Sequence, residues 1–329
     1  MSQTIRKLQN KVKVISFDIT GTLLSHKFPI MQTYAECAIW SKLPNPPNQI
    51  ELKEGFKKAY YKHCIESPAF GYAENMADRE WWRWCVKSAL AFCGRTEYSD
   101  DQFERYFRRV YQHYGSSNAY QLLPDALPTL EYLHQHRDRY TLGILTNSPQ
   151  RSVETILPAM GIHDQFHWFV SCRDVGAEKP SPAIYDAAFQ QALFWIPDLK
   201  REEILHIGDS FAADYCGARA AGFQALYLDR SSNPLVSVYQ DWLQAPDYPG
   251  KCEQDIREGT ITSLTSLIHL LESNWIIPVV TFWLDAGSLF IFNHPLHCTV
   301  LSCITRSYMY VLYLYVCSYL ICNNNIQIW

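Results

Sequence analysis

The stretch KVKVISFDITGT, residues 11–22, decides the fold class. From Val12 to Phe17 it alternates briefly and then turns wholly apolar, the pattern of a strand buried in a sheet. It ends abruptly in the turn-like run Asp18-Ile19-Thr20-Gly21-Thr22. A carboxylate in that position has two readings. It caps the following turn, or it stands at the carboxyl rim of a sheet, where open α/β folds bind their ligands. The choice depends on whether other strands of the chain end in polar residues of a matching kind.

Outward from this strand, residues 28–118 change to helical periodicity with no strong strand candidate. The pattern is broken at 43–49, which holds three prolines, at 67–71 and at 94–99, giving roughly four helices. Alternation of strand and helix resumes near Leu122. A helix is expected over 125–136, a strand over 140–145, a helix from Gln150 and a short strand near 166–170. Ser181 and Pro182 suit the N-cap and first turn of a helix with Ile184, Ala187 and Ala188 on one face. A strand over 204–207, a helix over 212–221 and a strand over 223–228 complete the series. The fold class that follows is α/β: an open, mostly parallel sheet with helices on both faces, its first strand separated from the rest by a helical block.

Three further strand ends carry chemistry-bearing residues. Thr146 and Asn147 follow an apolar run in LGILTNSP, where a hydroxyl and backbone N–H groups suit phosphate oxygens. Lys179 in GAEKPSP precedes a helix, whose N-terminus favours an anion. Gly208-Asp209-Ser210, followed by Asp214, places two carboxylates five residues apart at a strand-to-helix turn. Hard oxygen ligands of that kind suit Mg²⁺, which keeps its waters and binds few protein carboxylates. Taken singly, each motif has a bland explanation: loop chemistry, a solvated lysine, an N-capping aspartate. In this order, each after an apolar strand, they reinforce one another.

The ordered set Asp18, Thr146, Lys179, Asp209 with Asp214 resembles the four signature motifs of the haloacid dehalogenase superfamily, over about Val12 to Arg230. The stretches EGFKKAYYKH, SPAFGY and DREWWRW look like the subfamily of haloacid dehalogenase-like hydrolase domain-containing protein 3 and the rhythmically expressed gene 2 product. The resemblance implies a Rossmannoid core, 1–26 with 119–272, and an inserted helical cap of the C1 type, 27–118. It further implies a Mg²⁺-dependent hydrolase that acts on a small phosphorylated metabolite through an aspartyl-phosphate. In that scheme Asp18 is nucleophile and metal ligand. The Thr20 carbonyl and Asp209 ligate the metal, and Asp214 binds it through water or orients Lys179. Lys179 offsets charge, and Thr146 and Asn147 hold the transferred group.

One position departs from the pattern. Most phosphatases of the superfamily carry a second aspartate two residues after the nucleophile, as acid and base; here it is Thr20. General acid–base catalysis contributes about 10²–10⁴ in rate, and a threonine hydroxyl cannot supply it near neutral pH, so hydrolysis is expected to be weak. DITGT instead shares its pattern with the phosphorylation loop of P-type ATPases, whose other domains have no counterpart here. True dehalogenases also lack the second aspartate, but they need no magnesium, and the Asp209 and Asp214 pair argues against that reading. A catalytically impaired binding or regulatory protein is the alternative that Thr20 favours. Thr22 is read as a loop-closing hydrogen bonder and His206 as a satisfied core histidine. Trp81 and Trp82 are read as cap core, and Arg79 and Lys57 as solvated charges.

The bulk numbers narrow the function classes. A formal charge of -4 over 329 residues, without long runs of one sign, gives nucleic-acid binding no electrostatic support. Eleven cysteines form no CxxC pair, and an odd number cannot all be joined within one molecule. Reduced thiols in the cytoplasm or nucleus are expected. The N-terminus lacks the apolar core of a signal peptide. After Ser273 only Asp285 and Arg306 are charged, and from Ser307 onward 23 residues are uncharged. A spanning helix needs about 20 apolar residues. The polar NNNIQ near the end argues against a membrane anchor, leaving 273–329 as an apolar extension.

Overall fold

The computed structural model describes residues 12–232 and 259–273, with two short strands, Phe282–Trp283 and Leu289–Phe290. The chain divides into the units Met1–Asn274 and Trp275–Trp329. In the second, the two short strands pair antiparallel, Leu289 opposite Trp283. The uncharged run from Ser307 lies outside the described residues. Among the described residues, no helix is long and apolar enough to cross a membrane.

In the first unit, β1 (Val14–Phe17) leads through the loop 18–23 to β2 (Leu24–His26). Helices follow: α1 (Ile30–Trp40), α2 (Gln49–Glu66), the short α3 (Pro68–Gly71), α4 (Asp78–Phe92) and α5 (Asp100–His113). Local chemistry sets their ends. Prolines 44, 46 and 47 lie in the break after α1. Asn48 and Glu51 form a reciprocal capping box at the start of α2, as do Ser99 and Gln102 for α5. α3 is helical in outline only, because Ala69, Phe70 and Gly71 are left-handed, with φ 48, 56 and 75°. The sequence breaks at 43–49, 67–71 and 94–99 thus fall between the helices, and the four long ones match the periodicity.

The chain returns through β3 (Tyr120–Leu122), which pairs antiparallel with β2, Leu24 opposite Leu122. This pair, at the entrance and exit of the helical block, was invisible to the sequence reading; two three-residue strands carry too little periodicity. Next come α6 (Ala126–Gln135), β4 (Thr141–Thr146), a π turn Ser152–Ile156 running into α7 (Leu157–Ala159), and β5 (Trp168–Ser171). α8 (Cys172–Val175), α9 (Pro182–Trp195) and β6 (Ile204–Gly208) follow. A second π turn, Phe211–Cys216, enters α10 (Gly217–Ala220), then β7 (Gln224–Leu228), β8 (Thr260–Ile261) and α11 (Thr265–Ser273). α9 begins at Pro182 as expected, but the Ser181 side chain makes no capping hydrogen bond.

The main sheet runs β5-β4-β1-β6-β7-β8 with every pairing parallel. Alternate strand residues enter two separate cores. Ile15, Phe17, Leu142, Ile144, Leu205 and Ile207 pack with Leu130 and Leu133 of α6 and Leu267 of α11. Val14, Leu145, Val170 and Ile204 pack with Ile184, Tyr185 and Ala188 of α9. Helices therefore cover both faces, as the alternation predicted. β1 lies between β4 and β6, and the chain builds one side of the sheet from β4 and β5 before crossing to β6, β7 and β8. That reversal is a topological switch point. Open α/β sheets bind their ligands at such a reversal, and Asp18 stands there, just beyond the carboxyl end of β1.

Candidate active site

Four of the expected side chains form one buried hydrogen-bonded group at this switch point. Asp18, at the end of β1, accepts at Oδ1 from Thr146 Oγ1 at 2.9 Å and from Lys179 Nζ at 2.8 Å. Lys179 also donates to Asp214 Oδ1 at 2.5 Å and to the Leu145 carbonyl at 2.8 Å. All three ammonium protons thus have acceptors. Burial alone would lower the Lys179 pKa, but the two carboxylates outweigh it and hold the ammonium above its ordinary value.

Asp214 is saturated by protein donors. Its Oδ1 also accepts from His206 Nε2 at 3.1 Å, and its Oδ2 accepts from the Ser210 N–H at 2.9 Å. Desolvation opposes its charge, yet Lys179 and His206 outweigh burial and lower its pKa. With both oxygens occupied, this geometry favours the orienting role for Asp214 over binding a metal through water. His206 is fully buried, and its Nδ1 lies 2.9 Å from Ser16 Oγ. A neutral imidazole donating from Nε2 and accepting from Ser16 satisfies both contacts, and burial lowers its pKa accordingly. The expectation of a satisfied core histidine stands, with the addition that it holds Asp214.

Asp209 lies against the loop after β1. Thr22 Oγ1 is 3.5 Å from its Oδ1. Gly21 has φ +86°, and a Cβ there would fall 2.2 Å from Asp209 Oδ2, so only glycine permits the approach. A Cβ at Gly208 would likewise fall 2.1 Å from the Asp214 carboxyl carbon. Desolvation first, then the charges of Asp18 and Asp214, push the Asp209 pKa well up. Asp18 is raised as well, by burial and by Asp214, against the opposing pull of Lys179.

The Asn147 and Thr20 side chains find their partners among the neighbouring loops. The Asn147 side chain clasps the backbone of Lys179, donating from Nδ2 to its carbonyl at 2.9 Å and accepting its N–H at 2.7 Å. Through these two bonds Asn147 positions the lysine. Thr20 makes no hydrogen bond to Asp18; its hydroxyl is 3.4 Å from that of Ser148, whose N–H donates to Thr146 Oγ1 at 3.1 Å. In the helical block, Trp81 is 1% exposed and donates to the Ser67 carbonyl at 2.9 Å, as a core residue does. Arg79 pairs with Glu80 and Glu104.

The sequence reading missed Ser16, Ser148 and Ser210, and did not anticipate that His206 touches Asp214. A faint signal existed: Ser16 and His206 are polar residues in otherwise apolar strands. Their adjacency needs the β1–β6 register, which pairs Ser16 with His206. It also missed Glu178, which accepts the Ala69 N–H at 3.1 Å and so ties the chain beside Lys179 to the left-handed turn of α3.

Among the described residues, no three His, Cys, Asp or Glu side chains are grouped so as to hold a metal ion. Mg²⁺ asks for less, one or two carboxylates with carbonyls and waters. Three neighbouring carboxylates, Asp18, Asp209 and Asp214, share the single ammonium of Lys179, and two of them have raised pKa values. That excess of negative charge fits a site that a divalent cation would neutralise, with Asp18 and Asp209 as the carboxylates that would hold it.

The sequence pattern of the haloacid dehalogenase-like hydrolases matches residues 12–222. The rhythmically expressed gene 2 protein of Drosophila melanogaster is 28% identical over 235 residues, covering 70% of this chain and 88% of that one. Haloacid dehalogenase-like hydrolase domain-containing protein 3 of Mus musculus is 25% identical over 231 residues, 70% of this chain and 87% of its own. Among solved structures, a 2-haloacid dehalogenase from Pseudomonas syringae pv. tomato superposes with a TM-score of 0.54 at 22% identity, covering 80% of this chain and 99% of that one. The HAD-hydrolase YfnB of Bacillus subtilis, solved bound to magnesium, gives 0.52 at 20% identity with the same coverages.

Proposed function

The chain belongs to the haloacid dehalogenase-like hydrolases, and on that premise we propose that it is a Mg²⁺-dependent phosphohydrolase or phosphotransferase for a small phosphorylated metabolite, with Asp18 as nucleophile. The observation that carries the reading is the placement of Lys179, whose one ammonium binds both Asp18 and Asp214. A carboxylate held beside a fixed cation at a sheet rim is arranged for attack on an electrophile that brings negative charge. YfnB, of the same fold, carries magnesium. The helical block 27–118 serves in this reading as the cap.

In the proposed reaction an Asp18 oxygen attacks phosphorus, the bond from phosphorus to the leaving oxygen breaks, and an aspartyl-phosphate forms. Lys179 offsets charge on the nucleophile and the transferred group, and the Thr146 hydroxyl, which donates to Asp18 Oδ1 before reaction, passes that hydrogen bond to a phosphoryl oxygen as the new bond forms. Asp214, held by His206 and Ser210, keeps Lys179 in place. Asp18, Asp209 and the Thr20 carbonyl would hold Mg²⁺, which supplies Lewis-acid polarisation of the phosphoryl group and neutralisation of charge. The leaving oxygen takes its proton from solvent, because the Thr20 hydroxyl is too weak an acid to donate its own at neutral pH. Water then attacks the aspartyl-phosphate, releasing phosphate and restoring the Asp18 carboxylate. With no aspartate at position 20 to activate that water, the second step is slow and the intermediate long-lived.

The test is incubation with Mg²⁺ and acetyl phosphate or beryllofluoride, followed by intact-mass and fluorine spectra. The wild type forms an adduct that Asp18→Asn abolishes; a wild type that forms none sinks the proposal. Thr20 also favours a second reading, a binding or regulatory protein that keeps the fold without turnover. Thr20→Asp separates the two. An enzyme lacking only its acid gains roughly 10²-fold in phosphatase rate, whereas a scaffold gains nothing.

A further inference from the structure

The helical block sorts its charges by face. On α5, Asp100 and Glu104 turn toward α4, pairing with Lys87 at 3.8 Å and with Arg83 at 2.5 Å. The basic residues Arg105, Arg108 and Arg109 occupy positions i, i+3 and i+4, a single stripe that continues to Gln112, and all four are exposed. Opposite this stripe α1 ends at Trp40 and the chain turns through Lys42. Between them lies a cleft of about 600 Å³, lined by these six residues and one other.

Three features point to an anionic ligand with a planar ring. First, among the described residues, Arg105 is the one cation of the four in an ion pair, with Asp101, and Lys42, Arg108 and Arg109 add three more basic side chains to the lining. Second, Trp40 is 70% exposed, with the Arg109 guanidinium 5.7 Å from its ring centroid, so a cationic group and an aromatic platform stand side by side. Third, the left-handed turn that ends α1, with Lys42 at φ 55°, brings the Lys42 side chain into the lining of the same cleft. The volume falls within the range of small-molecule sites.

We propose that this cleft is a binding site for a nucleoside polyphosphate, apart from the group around Asp18. Arginine forks match phosphate oxygens two at a time, and Lys42 adds a point charge. The exposed indole offers a stacking surface for the base. The proposal is independent of the chemistry assigned to Asp18, since none of the cleft residues belongs to that hydrogen-bonded group.

Calorimetric titration of the full chain with ATP and with inorganic triphosphate, in excess chelator to suppress metal-dependent binding at the rim, tests it. Saturable ATP binding is expected, weakened about tenfold or more by Arg108→Glu with Arg109→Glu. Trp40→Ala should weaken ATP and leave inorganic triphosphate unchanged. Arg108→Gln with Arg109→Gln repeats the test without charge reversal, and circular dichroism checks that each variant is folded. No saturable binding at about millimolar ATP, binding undiminished by both arginine pairs, or indifference of ATP to Trp40→Ala overturns the proposal.

Discussion

Lys179 makes three hydrogen bonds from one buried nitrogen, and this explains both the stability and the tuning of the rim. Taking an ammonium out of water is costly, and its attraction to Asp18 and Asp214 offsets the loss only because every proton has an acceptor. Lys179→Met removes the cation and leaves two carboxylates buried against each other. Loss of about 3–5 kcal/mol of folding free energy is expected, the range for breaking a buried pair, measured by urea unfolding in chelator. The same variant should form no beryllofluoride adduct. A variant as stable as wild type would show that the carboxylates reach solvent and that the arrangement is not what holds them.

At the scale of elements, the loop after β1 is secured from beneath by a second buried ion pair. Arg230, just after β7, donates to both oxygens of Asp125 at 2.7 and 2.9 Å and to the Thr22 carbonyl at 2.9 Å. Asp125 also accepts from Ser263 Oγ at 3.0 Å and from the Leu264 N–H at 2.8 Å. One carboxylate therefore joins the start of α6, the approach to α11 and, through Arg230, the loop that carries Asp18. Burial would raise the Asp125 pKa, but the hydrogen bonds from Arg230 and Leu264 lower it below the ordinary value. A depressed carboxylate stabilises the fold above its unfolded pKa of about 4 and loses that contribution as pH falls through the folded value. Asp125→Ala should therefore cost about 3–5 kcal/mol at pH 7 and progressively less below about pH 4. Unfolding curves of both proteins across that range measure it, and a gap that widens toward acid contradicts the assignment.

For the whole molecule, the same loops that bring the motif residues to the rim also grip the helical block. Arg173 lies 3.4 Å from Asp78 and donates to the Met76 carbonyl at 2.6 Å, while Glu178 holds the Ala69 N–H. The negative charge gathered at the rim links metal to stability. Mg²⁺ that binds only the folded chain stabilises it by about 2.7 kcal/mol at a hundredfold excess over its dissociation constant, so chelation should lower the melting temperature. Asp209→Asn removes one of the repelling carboxylates. In chelator at neutral pH that variant should melt above wild type, and added Mg²⁺ should no longer shift it. A wild type indifferent to Mg²⁺ in both melting and adduct formation would falsify the metal assignment.

What the sequence determined alone is the order of elements and the chemistry at the strand ends. An apolar run followed by an aspartate reads as a buried strand wherever it lies, and helical periodicity over 28–118 shows through because it depends on neighbours three and four residues apart. What only the tertiary structure decided is which side chains meet. The pairing of Ser16 with His206 requires the register of two strands 190 residues apart in the chain. The turn of Asn147 onto the Lys179 backbone, and of Thr20 onto Ser148, requires the relative placement of loops whose ends belong to different strands. Local propensity carries no information about such contacts; they follow from how the strands are ordered and how closely glycines such as Gly21 let the loops approach.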